Sequence, residues 1–214
     1  TELLAAARDA HRQNGQTVAA LSAAYMLAVA YERQKQWASA RQTLLDVQAG
    51  LADVGNAVGL VSVATSLAYV SLPLAMFPDV LGHLKLALQT SLALGVQVVT
   101  ETLLQTLQVG RSMAQMGAWS DLGHMARSLA ELLRNDQRLP EADRNAIAGV
   151  LGMMQETAEV LSAGLSAEER EVKLAALVEK AQNDTLAHSL GMDAWILGAG
   201  SPAGALAAQE TEQP

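Results

Sequence analysis

The chain has 214 residues, half of them hydrophobic but only 3% aromatic, with a formal net charge of −8 and no cysteine. Its acidity argues against the Lys/Arg-rich face that nucleic acid or an anionic membrane would require, and the absence of cysteine excludes disulfides, thiolate nucleophiles and zinc–thiolate sites. The apolar mass is Ala, Leu and Val, which suits close helix packing, whereas strands draw on aromatic and β-branched residues and only two isoleucines are present.

Apolar spacing and breakers predict helices throughout. The first runs from about Leu3 to Gln13 and stops at Asn14-Gly15. Its start has no basic stretch followed by an apolar core, so no signal peptide is visible and a cytoplasmic location is expected. The second covers about Gln16 to Arg33, and a polar turn leads into a third from Trp37 to Leu51. A very apolar helix follows from about Val58 to Leu72, then a break at Pro73 to Pro78. Pro78 suits the first turn of the next helix, with Asp79 at its positive end. That helix reaches about Leu94, another spans Val98 to Met116, and Gly117-Ala118 turns the chain into Trp119 to Leu133. Pro140-Glu141 opens a helix to about Ser162, Ser166 caps one running to about Ala181, and a weaker helix is expected from Asp184 to Leu197.

Val54 to Pro78 carries no charged residue and is long enough to span a bilayer. Gly55, Asn56, Ser62, Thr65, Ser66, Ser71 and Pro73 interrupt it, and no Lys/Arg cluster flanks it. A helix buried among neighbours is the better reading, without membrane insertion.

Trp37, Phe77 and Trp119 each stand at a turn between two helices, at gaps of 40 and 42, and Leu-Gly-His recurs at 81–83 and 122–124. In the first hairpin, Leu27-Ala28-x-x-Tyr31 is followed by Trp37-x-x-Ala40-x-x-x-Leu44. This resembles the tetratricopeptide repeat, in which small residues let two helices approach and a large ring fills the gap beside them. Val109-Gly110-x-x-Met113 with Trp119-x-x-Leu122-x-x-x-Ala126 matches in part, and Leu67-Ala68 with Phe77-x-x-Val80 is degenerate. The spacing exceeds the usual length of about 34 and is similar to the longer variety in the superhelical sensor regions of some bacterial transcription activators. The resemblance implies an all-α fold of antiparallel helical hairpins stacked as a short right-handed TPR-like solenoid. Its expected parts are an N-terminal helix (1–15), three hairpins (16–135), a divergent fourth hairpin or cap (136–197) and a disordered tail (198–214).

Nothing in the sequence assembles a catalytic or metal motif. His11, His83, His124 and His188 have no second histidine at ligand spacing; Asp79–His83 and Asp121–His124 share helix faces, a pairing that chance supplies often. No Gly-x-Ser-x-Gly elbow or phosphate loop occurs, so no enzyme and no cofactor are expected. The expected function is a protein–protein interaction scaffold binding a protein or peptide partner. In a stacked-hairpin array the first helices line the concave face. Helical phase then puts Tyr25, Glu32 and Arg33 there from the first hairpin, with Ser22 and Val29. The second hairpin adds Thr65 and Tyr69, with Ser62, and the third adds Leu107, Arg111 and Gln115. Tyr and Arg are favoured at binding hot spots. Charge is sparse between Asp46 and Glu131, which suits either a packed interior or an interface, including a homodimer through the middle. The alternative function is a ligand- or peptide-sensing regulatory domain of a bacterial signalling or transcription protein.

Overall fold

The computed structural model describes residues 1–200, which hold eleven helices and no strand. They fall into two compact units that divide between Leu94 and Gly95. The first contains α1 (Glu2–Gln13), α2 (Thr17–Arg33), α3 (Trp37–Asp53), α4 (Ala57–Ser71) and α5 (Phe77–Leu92), each packed on the next in chain order. Its core combines Leu21, Leu44, Val47, Leu51, Val63, Leu67 and Val70 with the small residues Ala24, Ala28 and Ala40, and Tyr31 and Trp37 pack against it half-buried. Alanine lets the helix axes approach, and the two rings fill the space beside it.

The turns of this unit share one construction. Residues 15, 35, 55 and 75 each take a positive φ, between 53° and 68°. At each, that residue's N–H donates to the carbonyl three back, and the following N–H donates to the carbonyl five back, as in Gly55 to Ala52 and Asn56 to Leu51. This pairing closes a helix through one left-handed residue. Glycine adopts that conformation freely, but Lys35 and Ala75 do not. Both side chains are exposed, so Ala75→Gly and Lys35→Gly should each stabilise the fold by about 0.5–1 kcal/mol, read as a higher urea midpoint. An unchanged or lower midpoint would mean that side-chain contacts outweigh the backbone term.

The second unit contains α6 (Val96–Gln115), α7 (Trp119–Asn135), α8 (Glu141–Ser162), α9 (Ala167–Asn183), α10 (Thr185–Ser189) and α11 (Met192–Ala199). Its most extensive packing is α7 on α8, while α11 packs on α9 and on α6. The turn from α6 to α7 repeats the construction above at Gly117. Ser166 and Glu169 form a reciprocal capping box at the start of α9, as the Ser-x-x-Glu spacing promised.

The single helix expected over Asp184–Leu197 is two, because Gly191 turns left-handed at φ 70° and breaks the run. The segment expected to begin a disordered tail at 198 is still helical at Gly198 and Ala199, and 201–214 lie outside the described residues. No helix among the described residues is long and apolar enough to cross a membrane. The uncharged stretch is divided instead, with α4 ending at Ser71 and α5 starting at Phe77.

Five buried hydroxyls sit in these cores: Ser71, Ser91, Thr102, Thr106 and Thr157. Each donates to a carbonyl of its own helix, three or four residues back.

Candidate binding clefts

In the first unit, α2 and α4 flank a cleft of about 260 Å³. Val18, Ser22, Tyr25 and Met26 line it from α2, and Gly59, Ser62 and Val63 line it from α4. Leu21, Val47 and Leu51 line it as well, so the cleft reaches down to the core. No charged residue lines it among the described residues. The Tyr25 hydroxyl lies 3.2 Å from the Ser66 hydroxyl and ties α2 to α4. Asn56 caps α4 by accepting from the Gly59 N–H, which fixes the first turn of that wall. Val18 and Val58 stand 63% and 61% exposed, large apolar side chains left in water on the two flanking helices.

The expected residues of this unit divide. The structure brings Tyr25, Ser22 and Ser62 together in the cleft. Tyr69 is exposed further along α4, and the Thr65 hydroxyl is used within α4 on Val61 and Ser62 carbonyls. Arg33 is exposed at the end of α2. Glu32 beside it is half-buried, and burial pushes its carboxyl above the usual range, against a small opposing pull from Arg33.

In the second unit, Arg111 and Gln115 are exposed on α6, but Leu107 is only 4% exposed. Trp195 of α11 is buried in the same place, with its indole Nε1–H donating to the Leu107 carbonyl at 2.9 Å. Two clefts open there, of about 300 and 190 Å³, and Arg111 and Trp195 line both.

The chain matches no family model, no curated protein and no solved structure.

Sequence reasoning missed Met26 and Val18 as cleft walls and missed Trp195 altogether. Val18 had a signal, since Val18 and Ser22 recur as Val58 and Ser62 at the interval that separates Trp37 from Phe77. Trp195 had a fainter one, the helical spacing of Met192, Trp195 and Ile196 in a segment read as weak.

The histidines are dispersed, and no group of three or more His, Asp or Glu among the described residues could hold a metal. His83 is the one with consequence. On α5 it is half-buried near the Arg41–Asp79 ion pair, which joins α3 to α5 at 2.5 Å, and its Nε2 is buried without a partner. Burial lowers its pKa most; Asp79 pulls it up and Arg41 lowers it further. The folded chain thus favours neutral imidazole, while the unfolded chain takes up a proton near pH 6.5. The stability due to this neutral form is complete above about pH 6.5 and is lost as pH falls toward the folded pKa. Urea midpoints should decline over that acidic range, and His83→Gln should flatten the decline. Equal slopes for both chains would remove His83 as the cause.

Proposed function

We propose that this chain is a non-catalytic protein-interaction scaffold of the long-repeat, TPR-like kind, working in the cytoplasm. Two features support the repeat reading. Left-handed turns recur at 15, 35, 55 and 75, and Val18 and Ser22 on α2 return as Val58 and Ser62 on α4. On this reading the hairpins stack as a short right-handed solenoid, and α2 and α4 are successive inner helices.

The observation that carries the binding role is the α2/α4 cleft: open, uncharged, backed by the core and edged by hydroxyls. Such a cleft suits one large uncharged anchor side chain of a partner segment, with Ser22, Tyr25 and Ser62 supplying hydrogen bonds around it. A carboxylate set into it would be desolvated without a counter-charge when the partner binds. The test is affinity capture from lysate of the source cells, comparing the wild-type chain with Ser22→Glu/Ser62→Glu at matched helicity. A captured partner should bind the variant about 30-fold or more weakly. Equal capture by both chains would remove this cleft as the binding site.

A ligand-sensing role is the second reading, favoured by the modest volume of the cleft, which also suits a small uncharged molecule. It predicts thermal stabilisation by a small molecule with no partner captured.

A further inference from the structure

A second site lies in the other unit, independent of the scaffold reading. Among the described residues, Arg111 is the only charged one lining either cleft beside Trp195. Gln108 lies three residues before it and Gln115 four after, so all three polar heads occupy one face of α6. All three are exposed. Among the described residues, no ion pair or hydrogen bond engages any of these three side chains, although acids outnumber bases in the chain by 22 to 14. A competing account makes Arg111 a counter-charge for the C-terminal turn of α11, whose Gly198 and Ala199 line the larger cleft. That account predicts a hydrogen bond from the guanidinium to the Ala199 carbonyl, and none is made among the described residues; the Gly200 N–H closes the last turn by donating to the Ile196 carbonyl.

The facing wall is rigid and nearly featureless. Trp195 is fixed by its bond to the Leu107 carbonyl, and Ala194, Gly198 and Ala199 leave open space beside it. A planar cation with unspent donors next to a fixed indole and small side chains matches a carboxylate attached to a compact apolar body. The guanidinium fork holds the carboxylate through two parallel N–H···O bonds. The Gln115 amide donates beside it, and the apolar body lies in the larger cleft against Trp195 and Ala194.

We propose that the α6/α11 cleft of about 300 Å³ binds a small organic carboxylate with a compact apolar group, held at its head by Arg111 and Gln115.

Trp195 makes the test local, since the chain has only three tryptophans and each indole N–H gives a separate signal in a ¹H–¹⁵N spectrum. Trp37→Phe and Trp119→Phe assign the remaining signal to Trp195. The probes are benzoate, indole-3-acetate and hexanoate, each paired with its neutral amide. At least one acid should shift the Trp195 signal in a saturable way while its amide does not, and Arg111→Met should weaken that response about tenfold or more. Arg111→Lys, which keeps the charge but loses the fork, should fall between them. Arg111 is exposed, so an unchanged spectrum elsewhere will show that the variants fold. No saturable shift with any acid, an equal shift with the paired amide, or an undiminished response in Arg111→Met would each overturn the proposal.

Discussion

Replacing Trp195 with alanine should cost the second unit about 3–5 kcal/mol. The side chain is 3% exposed and joins α11 to α6 through both packing and the Nε1 bond to Leu107. Alanine would leave a void the size of an indole where α11 meets α6, beside Leu104, Leu107 and Leu190. The Leu107 carbonyl lies within a helix, so its loss of the indole partner is the smaller part. Trp195→Phe separates the two contributions, because it keeps most of the packing and forfeits the hydrogen bond, for about 1 kcal/mol. Thermal melts give the totals, and amide exchange across 192–199 shows where the loss falls. A deficit below about 1 kcal/mol for Trp195→Ala would mean that α11 is held chiefly by α9.

Gly110→Val should be nearly as damaging, and Gly110→Ala should not. Gly110 lies where α6 meets α7 and α8, and an added Cβ would come within 3.1 Å of the Met154 thioether and 3.3 Å of a Leu122 methyl. Mid-helix glycine forgoes about 1 kcal/mol relative to alanine. The end of Met154 is unbranched and can swing aside, so the steric cost of one methyl roughly offsets that gain. Valine adds two more carbons at a three-helix junction with no further room. Overpacking and its poorer helix propensity together should cost about 2–3 kcal/mol. Urea midpoints distinguish the two variants, and equal stability would show the junction to be loosely packed.

Much of the helical plan was legible because it depends on local chemistry. Pro78 and Asp79 in the first turn of α5, Ser166 with Glu169 at α9, and Gly117 after α6 are signals carried within a few residues. The left-handed turns at Lys35 and Ala75 were less readable, since neither residue favours that conformation. In the candidate site, Tyr25 and Ser22 followed from helical phase alone. Leu107 did not: phase puts it on the same face as Arg111, but Trp195, 88 residues away, covers it. Periodicity within one helix carries no information about such a distant element. Trp195 was hard to foresee for the same reason, as a single ring in a short helix broken by Gly191.

The buried hydroxyls bear on how the helices keep their alignment. A polar group that bonds across an interface works like a peg, permitting one register and penalising its neighbours. Ser71, Ser91, Thr102, Thr106 and Thr157 spend their donors inside their own helices, so they peg nothing. Alanine and leucine surfaces tolerate sliding by a turn far better than a pegged seam does. In the first unit, the Tyr25–Ser66 and Arg41–Asp79 ties join alternate helices, and the fixed length of chain between successive left-handed turns limits how far one helix can slip along the next. The ruler for this fold is therefore written on its surface, in the backbone handedness of a few exposed residues. Inserting or deleting one residue beside such a turn should disturb the unit more than many substitutions in its core.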